Sequence, residues 1–237
     1  MPEPTGPHSV GRVSYDWVDP ARTEIYAANP EDRRELVVFV WYRPSRNRPP
    51  SFAPHLPAAW APATEFLGLN VAGMRSHAIP DAAVAYSNSA YPVLVLSPSG
   101  FPPLLLAAIA EELASHGFVV VGVNHTYETT VTAFIDGRAV PMNPASIGGA
   151  LGPQTGSYEE VFSQRAAVCE YKAADLASVA GQLERLNTDP AQLLAGRLDL
   201  ARVAALGHSF GGNAARQWCR TDQRLRGRSQ LGWCTVD

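Results

Sequence analysis

The sequence predicts an α/β fold in which a mostly parallel β-sheet is covered by helices on both faces. Continuous apolar runs at 91–96 and 118–123 are typical of buried parallel strands. Segments with helical composition or periodicity, at 104–116 and 158–187, alternate with apolar runs, and this alternation favours a sheet layered between helices. A Gly-x-Ser-x-Gly pentapeptide at 207–211 follows a further apolar run. The chain has 237 residues, 46% of them hydrophobic, and fits one domain over 1–237 better than two.

The N-terminal part predicts two strands and a covering segment. Residues 10–17 and 35–42 are rich in Val, Tyr and Trp, so we expect two antiparallel strands at a sheet edge. The pair Asp19-Pro20 is expected to end the first strand. Residues 43–91 are dense in proline, which favours loop or cap structure of the kind that shapes the mouth of a pocket.

The central part predicts a strand, a helix and a second strand. The strand at 91–96 leads into a turn-forming loop, and the helix at 104–116 is expected to end at Gly117. The next strand covers 118–123, and His125 follows its C-terminal end. Open α/β sheets bind their ligands at that edge, so His125 is a candidate for the lining of a pocket.

The C-terminal part predicts a long helix and then a strand, turn and helix. Residues 158–187 carry a repeating apolar face, formed by Leu176, Val179, Leu183 and Leu186. A strand at 197–206 precedes the pentapeptide, and a helix at 211–220 follows it. Residues 232–237 predict one more strand, which would end at Asp237.

The pentapeptide has the context of a nucleophile elbow, a sharp turn that exposes a serine between a strand and a helix. Glycine is required on both sides of Ser209 because the turn is strained and the helix packs very close to the strand. The start of the helix carries partial positive charge, which favours developing negative charge near the hydroxyl. The alternative, an ordinary glycine-rich turn, is less favoured. The elbow and the alternation of strands and helices together predict an α/β-hydrolase architecture.

Composition and motifs argue against several classes of ligand and partner. The net charge is −3 and there is no basic stripe, so nucleic acid is not an expected partner. No metal, nucleotide or flavin motif is present, and no cofactor is implied. The three cysteines suggest neither a zinc site nor a disulfide framework. Neither a membrane span nor a signal peptide is predicted, so the chain as written is expected to stay in the cytoplasm, or to be secreted if the natural start lies upstream.

Seven short motifs occur one after another along the chain. They are Pro4-Thr5-Gly6-Pro7, Arg34-Glu35-Leu36-Val37-Val38, Tyr91-Pro92-Val93-Leu94-Val95-Leu96-Ser97, Leu113-Ala114-Ser115-His116-Gly117, Asn124-His125, Asp136-Gly137-Arg138 and Gly207-His208-Ser209-Phe210-Gly211-Gly212. Together they resemble bacterial members of the platelet-activating factor acetylhydrolase family, the plasma-type phospholipase A2 branch of the α/β-hydrolases. The resemblance implies calcium-independent hydrolysis of short or oxidised acyl esters, including phospholipid esters, by a Ser, Asp, His triad.

The resemblance also implies roles for individual residues. Ser209 would be the nucleophile that forms an acyl-enzyme, and Asp237 would be the triad acid. The backbone N–H groups of Phe210 and Phe101 would form the oxyanion hole. Many relatives carry His-Gly-Leu where this chain has the segment 97–101, which makes the Phe101 donor a departure from the family pattern.

The catalytic base has no obvious candidate. The fold expects a histidine after the acid, and none follows His208. His208 lies beside the nucleophile, where a side chain should point away from it, and His125 is more simply interpreted as structural. We therefore expect the chain to be an N-terminal fragment whose last strands and catalytic histidine lie beyond Asp237. The alternatives are a catalytically inactive binding protein and another hydrolase of this fold, such as a lipase, a polyester hydrolase or a thioesterase.

Overall fold

The computed structural model describes residues 1–46, 53–54, 60, 74–148 and 156–226. Its strands are β1 (Val10–Thr23), β2 (Arg33–Tyr42), β3 (Ala53–Pro54), β4 (Arg75–Ser76), β5 (Ala78–Pro80), β6 (Tyr91–Ser97), β7 (Val119–His125), β8 (Val131–Ala133), β9 (Ala139–Pro141) and β10 (Leu198–Gly207). Its α-helices are α1 (Ala107–Ser115), α2 (Tyr158–Thr188), α3 (Phe210–Thr221) and α4 (Gln223–Arg226).

A six-stranded sheet with the order β10-β6-β7-β2-β1-β5 forms the centre of the molecule. Strands β10, β6 and β7 pair in parallel, whereas β2 runs antiparallel to both β7 and β1. This arrangement confirms the predicted α/β fold and the antiparallel pairing of β1 with β2. The expected position of this pair at a sheet edge was wrong, because β2 lies between β7 and β1 and β5 adjoins β1. The C-terminal ends of β6, β7 and β10 therefore meet at one edge of the sheet.

Strand β1 is longer than its sequence predicts. It continues past Asp19 and Pro20 to Thr23, and its pairing with β2 shifts between Asp19 and Thr23. Proline cannot donate to a strand ladder but is tolerated at such an irregularity. The expectation that the Asp19-Pro20 pair ends the strand was therefore wrong.

The helices cover both faces of the sheet, as the alternation along β2 shows. Val38 and Val40 lie in the apolar cluster that includes the predicted face of α2, whereas Val37 and Phe39 lie in the cluster that includes α1. Successive side chains of a strand point to opposite faces, so β2 contributes to both halves of the core. The four α2 residues predicted to be buried are at most 5% exposed: Leu176, Val179, Leu183 and Leu186.

Local signals set the ends of the helices. Helix α1 is preceded by a 3₁₀ turn at Pro103–Leu106 and is followed by Gly117, whose φ of 94° is readily adopted only by glycine. Helix α2 begins with a capping box in which Ser157 and Glu160 satisfy each other's backbone N–H groups. None of the helices within the described ranges is long and apolar enough to cross a membrane. The strand predicted at 232–237 lies outside the described residues.

Candidate active site

Ser209 lies at a sharp turn between β10 and α3. Its backbone has φ 54° and ψ −122°, a conformation that a non-glycine residue adopts only under strain. A Cβ added to Gly207 would collide with the backbone of Gly211, and one added to Gly211 would collide with the backbone of Ser97. The two glycines are therefore required by close backbone packing. This geometry is that of a nucleophile elbow.

The Ser209 side chain is exposed, as a nucleophile that must meet a substrate requires. No residue in the described part of the chain forms a hydrogen bond with its hydroxyl. Asp237, predicted to be the triad acid, lies outside the described residues, so its role stays a prediction. The catalytic base likewise has no assignment among the described residues.

The two predicted oxyanion-hole residues flank the elbow. Phe210 is the first residue of α3, and N–H groups in the first turn of a helix have no partner within the helix. The Phe101 ring lies 5.5 Å from the ring of the exposed His208. The N–H of His208 also donates to the Ser97 carbonyl at 3.1 Å, which ties the loop after β6 to the elbow. The structure thus brings Phe101, Phe210 and Ser209 into one neighbourhood.

His125, a sequence candidate for the pocket lining, is an interior residue instead. Its side chain is fully buried at the end of β7. Its Nε2 lies 2.9 Å from Ser97 Oγ, and its Nδ1 lies 2.7 Å from Asp175 Oδ2. Both ring nitrogens are therefore occupied by buried partners, and neither is available to Ser209.

Asp175 belongs to a buried charged cluster beneath the site, which we define as Glu24, Arg34, Glu128, Lys172 and Asp175. The guanidinium of Arg34 donates to both carboxylate oxygens of Asp175, at 3.0 and 2.5 Å. It also donates to Glu24 at 2.7 Å and to Glu128 at 3.1 Å. Lys172 Nζ lies 3.3 Å from Glu128 Oε2. Buried charges require such partners, because removal from water is otherwise very costly.

The cluster shifts the pKa values of its members. Burial, together with the positive charge of Lys172, lowers the pKa of His125 to about 3, so its imidazole is neutral. Burial alone would raise the pKa of Asp175, but Arg34 and the hydrogen bond from His125 hold it well below its usual range. Burial raises the pKa of Glu128 and lowers that of Lys172, and their mutual attraction opposes both shifts.

The sequence reasoning did not identify this cluster. One signal was present: Lys172 is the only lysine in the chain, and it lies with Asp175 on the α2 face that also carries Leu176. Charged residues on the apolar face of a helix are expected to meet partners in the core. The identity of those partners depends on strand pairing between distant segments, which the sequence pattern does not contain.

The cysteines differ from the sequence expectation. Cys169 is a free thiol, and burial raises its pKa. Cys219 is disulfide-bonded. The sequence indicated no disulfide framework, and Cys219 departs from that expectation.

A cavity of about 810 Å³ is lined mainly by residues of α2, together with residues near the end of β1 and after β9. Its lining includes Tyr26, Val168 and Tyr171. Val168 also packs against Phe210, the first residue of α3. The Tyr26 and Tyr171 rings meet edge to face at 5.6 Å, which gives the cavity an aromatic wall.

The sheet order and the elbow define an α/β-hydrolase. Among solved structures, a ferulic acid esterase from Streptomyces cinnamoneus matches 94% of this chain with a TM-score of 0.73 and 30% sequence identity. That match covers 58% of the esterase chain. The predicted α/β-hydrolase fold is thereby confirmed.

The curated relatives carry related names. Over 146 residues the chain is 34% identical to the platelet-activating factor acetylhydrolase of Cavia porcellus, a match that covers 57% of this chain and 33% of the relative. A probable 1-alkyl-2-acetylglycerophosphocholine esterase of Arthroderma benhamiae is 26% identical over 95% of this chain and 56% of its own length. No protein-family model matches the chain. These relatives confirm the resemblance to the platelet-activating factor acetylhydrolase family, and the chain spans between a third and about half of their length.

Proposed function

We propose that the protein is a serine esterase that hydrolyses short-chain acyl esters through an acyl-enzyme on Ser209. The observation that carries the proposal is the strained, exposed Ser209 at the turn between β10 and α3. Such strain costs about 1–3 kcal/mol and persists where the surrounding structure and function require it. The names of the curated relatives support acetyl esters of glycerophosphocholine as one substrate class.

The proposed reaction follows the elbow geometry. The Ser209 hydroxyl attacks the ester carbonyl, and its proton passes to a general base and from there to the leaving alcohol. The oxyanion that forms accepts hydrogen bonds from the N–H groups of Phe101 and Phe210, and the alcohol leaves as the acyl-enzyme forms. Water then releases the acid. Asp237 is our candidate for the carboxylate that orients the base.

A second substrate class is an ester of an aromatic acid. The structural match to a ferulic acid esterase supports it, and so does the aromatic wall of the cavity along α2. Aromatic side chains pack favourably against an aromatic acyl group. The two classes differ in acyl shape and are separable by substrate.

A fluorophosphonate probe, applied to the natural full-length protein, tests the proposal. We expect one adduct per chain by intact mass, absent in Ser209→Ala and retained in Ser163→Ala, which changes an exposed serine on α2. Turnover is then compared for p-nitrophenyl acetate, butyrate and longer esters and for methyl ferulate. Preference for acetate supports the acetylhydrolase assignment, and preference for ferulate supports the aromatic alternative. Absence of Ser209-dependent labelling in the folded full-length protein would contradict the esterase proposal.

A further inference from the structure

The loop that carries Phe101 is held from the protein interior at two successive carbonyls. Ser99 O accepts a hydrogen bond from Lys172 Nζ at 3.1 Å. Gly100 O accepts one from the backbone N–H of Thr130 at 3.0 Å. The first donor is a side chain from α2, and the second is the backbone N–H of the residue that precedes β8. Two separate elements therefore fix adjacent peptide groups of one short loop.

These two bonds determine where the loop's N–H groups point. In a trans peptide the C=O and the following N–H lie in one plane and point in opposite directions. The Ser99 carbonyl points to Lys172, so the Gly100 N–H points away from that side chain. By the same rule the Phe101 N–H points away from Thr130. No described residue accepts a hydrogen bond from the Phe101 N–H, which leaves it available to an oxyanion.

Burial of the charged Lys172 side chain costs free energy, because the ammonium group is removed from water. The side chain is fully buried, and its ammonium group approaches Glu128 at 3.3 Å. Apolar side chains that replace buried ion pairs are often neutral or stabilising, so a buried pair is weak support for a purely stabilising role. The Ser99 carbonyl is the contact that connects this charge to the candidate active site.

We propose that Lys172 is a positioning residue for the oxyanion hole. Its ammonium group, balanced by Glu128, holds the Ser99 carbonyl and thereby orients the 99–101 loop, so that the Phe101 N–H faces the carbonyl under attack by Ser209. Lys172 is too deeply buried to contact a substrate and acts only through the loop. This inference rests on the proposed esterase function.

The test uses a substitution matched for charge. Lys172→Met alone would leave the Glu128 carboxylate buried and unpaired, so the primary variant is the double change Lys172→Met with Glu128→Gln. The control is Glu111→Gln, which alters a buried carboxylate on α1 that accepts hydrogen bonds from Ser76 Oγ at 2.6 Å and from the His77 N–H at 3.1 Å rather than contacting Lys172. Thermal unfolding of each variant verifies that it is folded under the assay conditions.

Enzyme kinetics and the mobility of the loop are measured separately in each variant. In the double variant we expect kcat for p-nitrophenyl acetate to fall about 10- to 100-fold with KM changed less than about threefold, because a displaced donor weakens transition-state binding selectively. Affinity for a trifluoromethyl ketone, which forms the oxyanion adduct, should fall in parallel. The ¹⁵N order parameters of the Gly100 and Phe101 amides should drop from about 0.85 towards 0.6. Glu111→Gln should change none of these.

The outcomes separate the two proposals. An unaltered protein without Ser209-dependent turnover contradicts the esterase proposal, and the order parameters then still decide whether Lys172 orders the loop. An active protein whose folded double variant keeps kcat within twofold and rigid amides at Gly100 and Phe101 overturns the positioning role. Equal effects in Glu111→Gln would also overturn it, because they would reflect general loss of stability.

Discussion

His125 Nδ1 lies 2.7 Å from Asp175 Oδ2, and both side chains are fully buried. With Ser97 Oγ at 2.9 Å from the other ring nitrogen, the three residues reproduce the contacts of a Ser, His, Asp triad. Ser97 is itself buried, so no substrate reaches its hydroxyl. The arrangement anchors the end of β6, from which the 99–101 loop departs, and leaves the exposed Ser209 as the candidate nucleophile.

The first prediction concerns which serine reacts. After treatment with a fluorophosphonate and proteolysis, we expect the adduct on the peptide that contains Ser209 and none on the peptide that contains Ser97. Burial excludes the probe from Ser97, although its contacts resemble those of an activated serine. Tandem mass spectrometry locates the adduct. Modification of Ser97 in folded protein would show that the buried triad is accessible and would contradict this interpretation.

The second prediction concerns acid stability. The folded-state pKa of His125 is about 3, below the value of about 6.5 expected in the unfolded chain, so between these pH values the unfolded state binds more protons. The stability contributed by the neutral His125 is complete above about pH 6.5 and is lost as the pH falls towards 3. The loss is on the order of 5 kcal/mol. The lowered pKa of Asp175 also makes the folded protein less stable as the pH falls, but at lower pH values. The raised pKa of Glu128 has the opposite effect on stability.

Urea unfolding between pH 7 and pH 4 measures this dependence. His125→Asn keeps an N–H donor towards Asp175 but cannot take up a proton, so its stability should depend less on pH than that of the unaltered protein. His116→Asn changes a histidine that is largely exposed and should retain the original dependence. Identical pH profiles for His125→Asn and the unaltered protein would refute the assignment.

The third prediction concerns the buried charged cluster. Arg34→Met removes the buried cation that binds the carboxylates of Glu24, Glu128 and Asp175, and we expect a loss of about 3–5 kcal/mol in the free energy of unfolding. Arg138→Ala removes a cation that pairs with Glu35 at the surface, and we expect a loss of less than about 1 kcal/mol. Denaturant titration compares the two variants. Equal losses would mean that the cluster is not a stabilising unit.

The fourth prediction concerns the glycines of the elbow. Gly211→Ala places a methyl group against the Ser97 backbone, so it should destabilise the fold by more than about 2 kcal/mol or prevent folding. Gly181→Ala places the same group in open space within α2 and should stabilise the protein by about 0.5–1 kcal/mol. Melting temperatures of the two variants test the contrast. A stable Gly211→Ala variant would show that the turn relaxes more readily than its packing implies.

The sequence predicted the elements of the fold with good accuracy because their signals are local. The apolar run before Ser209 forms β10, and the periodic apolar face of α2 is buried. Helix α1 ends just before Gly117, as predicted. Strand β1 is the exception, since its passage through Pro20 depends on an irregular pairing with β2.

The sequence by itself determined the fold class and the position of the elbow at Ser209, because a tight strand-to-helix turn requires glycine at fixed neighbouring positions. Only the tertiary structure decided the position of His125 and the existence of the cluster around Arg34. Those contacts join residues as far apart in the chain as Arg34 and Asp175, which are separated by 141 positions. Periodicity and spacing describe neighbours along the chain, whereas the pairing of buried charges is determined by how distant strands and helices pack.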